Sequence, residues 1–304
     1  MREHCEFGAF DKSTNYPMKS TAALAYSHAS EAKKPVIVNE SQDTLASINI
    51  REIWASRELL YFLTWRDVKV RYKQTAMGAA WAIIQPLCMM LTFAVFFGIL
   101  IGVPTDGLPF MLFFYCGLVP WTFFSGAVGV GSGSLVGSST LITKVYFPRI
   151  IIPAAAVGAL LVDLLVTLVI LFGLVVYYHI PLTRNLAMLP ILILMTIVLA
   201  FEFGLWLSAL TVKYRDIRHA LPFVLQLWMF LTPVVYPLSV VPQKWRWLMY
   251  INPLTGIVEG IRCVFTSLHF NWTALAFTTV AMVVMLIWSV HTFRRIEKSF
   301  ADLI

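Results

Sequence analysis

Apolar residues fall into six long runs along this chain, separated by short polar stretches. The sharpest boundary lies at Trp65-Arg66-Asp67-Val68-Lys69-Val70-Arg71-Tyr72-Lys73-Gln74, where a dense basic stretch meets a segment with no charged residue from Gln74 to Thr105. A run of that length exceeds a globular core helix and reaches the roughly 20 residues needed to cross a ~30 Å hydrocarbon core. The same pattern marks spans at about 77–103, 110–130, 150–178, 186–212, 220–241 and 272–293. Only Asp163 interrupts the third and only Glu202 the fourth, while the fifth carries Pro222, Pro233 and Pro237. The pattern predicts an all-α integral membrane protein with six transmembrane helices.

Three flanking segments add to the spans. Residues 50–64 place Ile50, Ile53, Trp54, Leu60 and Tyr61 near one helical face, which predicts an amphipathic helix lying in the membrane interface. The loop Ser138–Arg149 is short, polar at its start and basic at its end. Residues 242–268 carry two helix starts, at Pro242 and at Asn252-Pro253, with Asn252 as a cap. Leu254, Val258, Ile261, Phe265 and Leu268 then recur at helical spacing, so two short amphipathic helices are expected there, with Glu259 and Arg262 paired on one exposed face.

Charge sets the expected orientation. With the N-terminus inside, the inner segments from residue 51 onward hold fourteen Lys and Arg and the outer ones four, which places both termini in the cytoplasm. The net charge of +7 therefore reads as topology and contact with anionic lipid, with no nucleic-acid partner. Charged residues make up 13% of the chain, about half the usage of soluble domains. Residues 1–48 are polar and mixed in charge, and read as a flexible cytoplasmic tail ahead of a transmembrane domain over 49–298.

Little here suggests chemistry. The four cysteines lie far apart and the six histidines are scattered, so no metal site or disulfide framework is expected. The glycine-rich run Gly126–Gly137 lacks the Lys-Ser/Thr ending of a phosphate loop. Its Gly129/Gly133/Gly137 spacing reads instead as a close helix-packing face. Asp163 and Glu202 are intramembrane polar groups without an intramembrane Lys or Arg in the sequence. Structural hydrogen bonding or a pore lining suits such isolated carboxylates better than a proton pathway, which uses several groups at matching depth. Aromatics crowd the spans, among them Trp81, Phe96, Phe113, Phe114, Phe124 and Phe230, and suit either interfacial belts or a lining on which sugar faces slide.

The motifs resemble a known family. The segment Trp65–Lys73, followed by Met77-Gly78, Trp81 and Gln85-Pro86-Leu87, is similar to the opening of ABC-2 type permeases of the polysaccharide exporter family. The similarity continues through Leu141–Arg149, Lys213–His219, Trp228–Pro237 and Asn252-Pro253-Leu254, in one order over roughly residues 50–270. That family includes exporters of O-antigen, capsular polysaccharide and teichoic acid.

The resemblance implies a homodimer in a bacterial inner membrane, working with two copies of a separate ATP-binding cassette subunit. ATP and Mg would be bound by that partner, so this chain carries no cofactor and is not an enzyme. The implied cargo is a lipid-linked glycan. The resemblance assigns ATPase coupling to the loop with Leu141, Lys144, Tyr146, Phe147 and Arg149, where Tyr146 and Phe147 offer apolar anchors. The anionic linker of such a lipid makes Arg66 and Arg71 the candidates for substrate entry, with Trp65 and Lys73 beside them. The resemblance implies gate helices at the outer mouth, which fall on the hairpin with Trp245, Trp247, Asn252, Glu259 and Arg262. The alternatives are an ABC-2 exporter of a small molecule, a proton-coupled transporter using Asp163 and Glu202, or a membrane glycosyltransferase. The last would need a metal-binding acidic pair or a His/Asp base, and no such pattern occurs.

Overall fold

A computed structural model describes residues 54–73, 78–144, 147–266 and 269–297. The tail 1–48, Ile50, Ile53, Tyr146 and Leu268 lie outside the described residues. Among those described, the chain is all-helical, with five helices long and apolar enough to cross a membrane and one shorter apolar helix.

Helix α1 runs over Arg57–Lys73. It therefore continues past the expected end at residue 64 and carries the basic stretch on its own surface. Leu63 is buried with Leu59 and Leu60 beside it, whereas Trp54 and Tyr61 are more than two-thirds exposed. The chain then forms α2 over Gly78–Phe93, prolonged by a π-helical stretch Ala94–Leu100, and α3 over Phe110–Gly137. Gly102 and Gly107 take positive φ in the turn between them, as glycine permits. After a short α4, Ser139–Lys144, come α5 over Ile151–Ala159 and α6 over Leu161–Tyr177, nearly continuous with one another.

Helix α7 covers Leu189–Lys213 and α8 covers Ile217–Leu231. Then follow α9 over Arg246–Ile251, α10 over Pro253–Val264 and α11 over Trp272–Glu297. Helix α3 is the centre of the bundle, with Phe113, Phe114 and Phe124 fully buried and α7 crossing it at close range. The contact is backbone to backbone: a Cβ on Gly131 would sit 3.1 Å from the Gly204 Cα. Gly129, Gly133 and Gly137, the expected packing stripe, meet nothing within 4 Å. The close approach thus uses a glycine on the neighbouring face of the same run.

The expected fifth span, 220–241, is not a continuous helix. Fifteen residues of α8 cover only about 22 Å, short of the ~30 Å core. Pro233 supplies no N–H and pushes Thr232 out of the helical region, to φ −95° and ψ 140°. Residues 232–235 then run as buried irregular backbone. Helix α10 enters from the far side, with Leu254, Ile257, Val258 and Ile261 wholly buried. Of the two short helices expected at the outer face and dipping into it, α10 is thus built into the bundle, while α9 has no buried residue.

Candidate functional site

Both ends of the bundle carry features that bear on function. At the basic end, α1 packs along α5, where Thr64 lies 3.3 Å from the Cβ position of Gly158. A second apolar cluster ties Leu63 to Leu135, Ile142, Phe147, Ile150, Val212 and Phe293, gathering the ends of α3, α7 and α11 around the α4 loop. Phe147 is buried there, packed within this chain. The outward positions are Thr143 and Lys144, with Leu141 half-buried. Arg149 donates from Nη1 to the Glu297 carbonyl at 2.7 Å, fastening the loop to the end of α11.

The intake residues divide into two groups. Arg66 pairs with its own neighbour Asp67 at 2.8 Å, and Trp65 lies half-exposed with the Lys69 ammonium 5.4 Å from its ring. Arg71 instead reaches Asp163 on α6, Nη2 to Oδ2 at 2.8 Å, and Tyr72 donates its hydroxyl to the other carboxylate oxygen. Burial, reinforced by the Asp163 hydrogen bond, raises the Tyr72 phenol well above its ordinary pKa and keeps it a donor. Asp163, isolated in the sequence, is thus fully engaged by the end of α1. The missed residue is Tyr72. A lone carboxylate in a span demands donors, and the nearest basic-aromatic pair, Arg71-Tyr72, was the available signal. Lys73 is exposed beside them.

Two cavities open near this end. One of about 500 Å³ runs along the glycine and serine face of α3, with Gly133, Ser134 and Gly137 on its floor and Arg66 and Arg218 at its sides. The other, of about 300 Å³, lies between α2 and α6 over α3, with Arg71, Tyr72 and Asp163 among its walls. Aromatics that sequence could not sort now divide by burial: Phe113, Phe114 and Phe124 are interior, while Trp81, Phe96 and Phe230 are about half exposed.

Glu202 on α7 is wholly buried, and neither carboxylate oxygen has a hydrogen-bond partner among the described residues. It does not join Asp163, so the two intramembrane carboxylates form no relay. Among the described residues, no cluster of His, Cys, Asp or Glu is arranged to hold a metal.

At the opposite end, the irregular backbone after α8 is satisfied by one side chain. Arg262 on α10 donates to the carbonyls of Pro233 (2.7 Å), Val234 (2.6 Å) and Tyr236 (3.2 Å), and at 3.5 Å to that of Phe113. Its guanidinium carbon sits 3.7 Å from the Phe113 ring centre. Glu259 pairs with it at 3.0 Å and also accepts from the Leu238 N–H at 3.3 Å. The Arg262 side chain is 4% exposed, so the expected surface ion pair is an interior clamp. Asn252 caps α10 at the Leu254 N–H, as the sequence indicated, and also binds the Trp228 indole and the Thr232 hydroxyl. Trp245 and Trp247 remain on the surface, 57% and 59% exposed.

This architecture has counterparts. The sequence profile of the ABC-2 type transporter family matches residues 58–266. The chain is 29% identical over 256 residues to the O-antigen export system permease protein RfbA of Myxococcus xanthus, covering 83% of this chain and 98% of that one. It is 26% identical to the RfbA protein of Klebsiella pneumoniae over 81% of this chain and 95% of the relative. With the polysialic acid transport protein KpsM of Escherichia coli it shares 27% over 64% of this chain and 76% of the relative.

Proposed function

The chain belongs to the ABC-2 type transporter family, and from that membership we propose that it is the membrane-spanning subunit of an ATP-driven exporter of a lipid-linked polysaccharide. The observation that carries the cargo class is the alignment with an O-antigen export permease over 98% of that relative's length. The sequence holds no phosphate loop, so the energy comes from a separate ATP-binding subunit. Among the described residues the bundle is centred on the buried helix α3, which favours a pore formed between two copies of the chain.

In this reading the basic end faces the cytoplasm and the transporter domain spans 49–298. Thr143 and Lys144, with Leu141 and Tyr146, contact the ATPase, while Phe147 and Arg149 brace the loop from behind. Trp65, Arg66, Arg71 and Lys73 meet the anionic linker of the incoming lipid, since Arg holds phosphate bidentately. The α9–α10 hairpin forms the outer mouth. Because α10 is clamped by Arg262, opening involves the surface part with Trp245 and Trp247 before it involves α10.

The test is removal of the chain from its host. Loss of surface polysaccharide with accumulation of the lipid-linked glycan on the inner leaflet is expected. Unchanged surface glycan, with loss of resistance to a small toxic compound, would point to the small-molecule exporter instead.

A further inference from the structure

The cavity of about 300 Å³ between α2, α3 and α6 has mixed walls. Arg71 and Tyr72 from the end of α1 and Asp163 from α6 line it together with Gln85 on α2. Trp81, Met89 and Leu164 are apolar or aromatic lining residues, and Thr122, Ser125 and Thr167 add hydroxyls. Its volume lies at the lower end of small-molecule sites, and a few polar groups among apolar and aromatic walls is the composition such sites have. A charged pair with hydroxyl-binding neighbours and apolar walls, beside an interfacial helix, matches the head of a lipid.

The charge balance narrows the ligand. Arg71 and Asp163 are the charged pair among its lining residues, and Lys69 and Lys73 lie on the same helix outside the lining. The Arg71 side chain is 43% exposed while its Nη2 holds Asp163. A guanidinium offers five N–H groups in a planar fork, so an edge remains for a second anion. The Asp163 carboxylate already accepts from Tyr72 and Arg71, and with the Gln85 amide it can take hydroxyl donors from a ring lying between them.

We propose that this cavity binds the sugar-phosphate head of the lipid-linked glycan, with the phosphate on Arg71 and the first sugar against Asp163 and Gln85. The proposal rests on the polysaccharide-export reading and adds a location and a switch to it. A phosphate on the free edge shares its guanidinium with Asp163, so arrival of the lipid weakens the tie between α1 and α6. Because α1 packs on α5, which follows the ATPase-facing loop, that loosening is felt where the partner binds.

The experiment uses the full chain in its host membrane. A photoreactive benzophenone side chain is placed at position 81, in the cavity, or at position 83, half-exposed on the same helix but outside it, and the crosslinked lipids are identified by mass spectrometry. At position 81 the glycan lipid should be enriched at least tenfold over its share of the membrane, and at position 83 not at all. Arg71→Gln should abolish the enrichment. Asp163→Asn should keep or raise it, since it frees the guanidinium. Crosslinking at position 83 reports that each variant is inserted and present.

Equal losses in the two variants would make the pair a structural brace and overturn the proposal. Enrichment of glycerophospholipid alone at position 81 would overturn it too, by showing a resident lipid. Neither outcome touches the export reading, which stands or falls on surface glycan in the strain lacking the chain.

Discussion

The Arg262 Nη2 donates to the carbonyl oxygen of Val234 at 2.6 Å, joining the last turn of α10 to the irregular backbone after α8. Irregular backbone at membrane depth persists only where protein satisfies it. Here one guanidinium serves the carbonyls of Pro233, Val234 and Tyr236 beyond the helix break, and Glu259 balances its charge. Gly117 makes the approach possible, because a Cβ there would lie 2.9 Å from the Val234 oxygen and 3.1 Å from Arg262 Nη2.

Replacement of Arg262 by Met should therefore be severe. Removing one member of a buried pair costs about 3–5 kcal/mol, and here those carbonyls lose their donor as well. Lysine should rescue poorly, since one ammonium cannot reproduce the fork. Glu259→Gln keeps an acceptor for Leu238 and Arg262 and should be milder. Thermal unfolding in detergent, followed by size-exclusion fluorescence, orders the three variants. An Arg262→Met protein as stable as the parent would show that the clamp does not hold the segment.

The crossing of α3 and α7 gives a second contrast. Gly131→Leu drives a side chain into the Gly204 backbone, and overpacking of this kind costs about 1–3 kcal/mol or more. Gly133→Ala meets nothing within 4 Å and should be neutral or slightly stabilising, by about 0.5–1 kcal/mol, as alanine is the better helix former. The two melting temperatures decide which glycine face packs.

Coupling should separate from stability within the α4 loop. Lys144→Glu alters an exposed charge and should leave folding unchanged while lowering transport-linked ATPase activity several-fold. Phe147→Ala empties a buried site and should cost about 3–5 kcal/mol in stability. If Phe147→Ala keeps full stability yet uncouples hydrolysis, the side chain serves the partner after all.

Glu202→Gln tests whether the buried carboxyl does proton work. A charge without a partner at that depth is costly, so a neutral amide of the same shape should fold and export normally. Loss of export at normal membrane abundance would revive proton coupling. Assay of surface glycan alongside protein level in membranes distinguishes the two.

Much of the fold was legible because span length and cation placement follow from solvation alone. Five of the six apolar runs, the basic stretch before α2 and the Asn252-Pro253 cap are local signals that appear where the sequence places them. The failures share a cause. Pro233 announced a fault in the fifth span, but whether a proline kinks a helix or ends it depends on what receives the carbonyls beyond the break, and Arg262 lies far along the chain. Gly129, Gly133 and Gly137 have the spacing of a packing face, yet Gly131 is used, because the partner's rotation is set by α7. Asp163 looked alone until α1 extended to bring Arg71 and Tyr72 to it. Which residues cross the membrane is a property of each segment's own transfer energy. Which faces meet is a property of pairs, and in a bundle those pairs are chosen by shape and by the need to satisfy every buried polar group, neither of which is written at a single position.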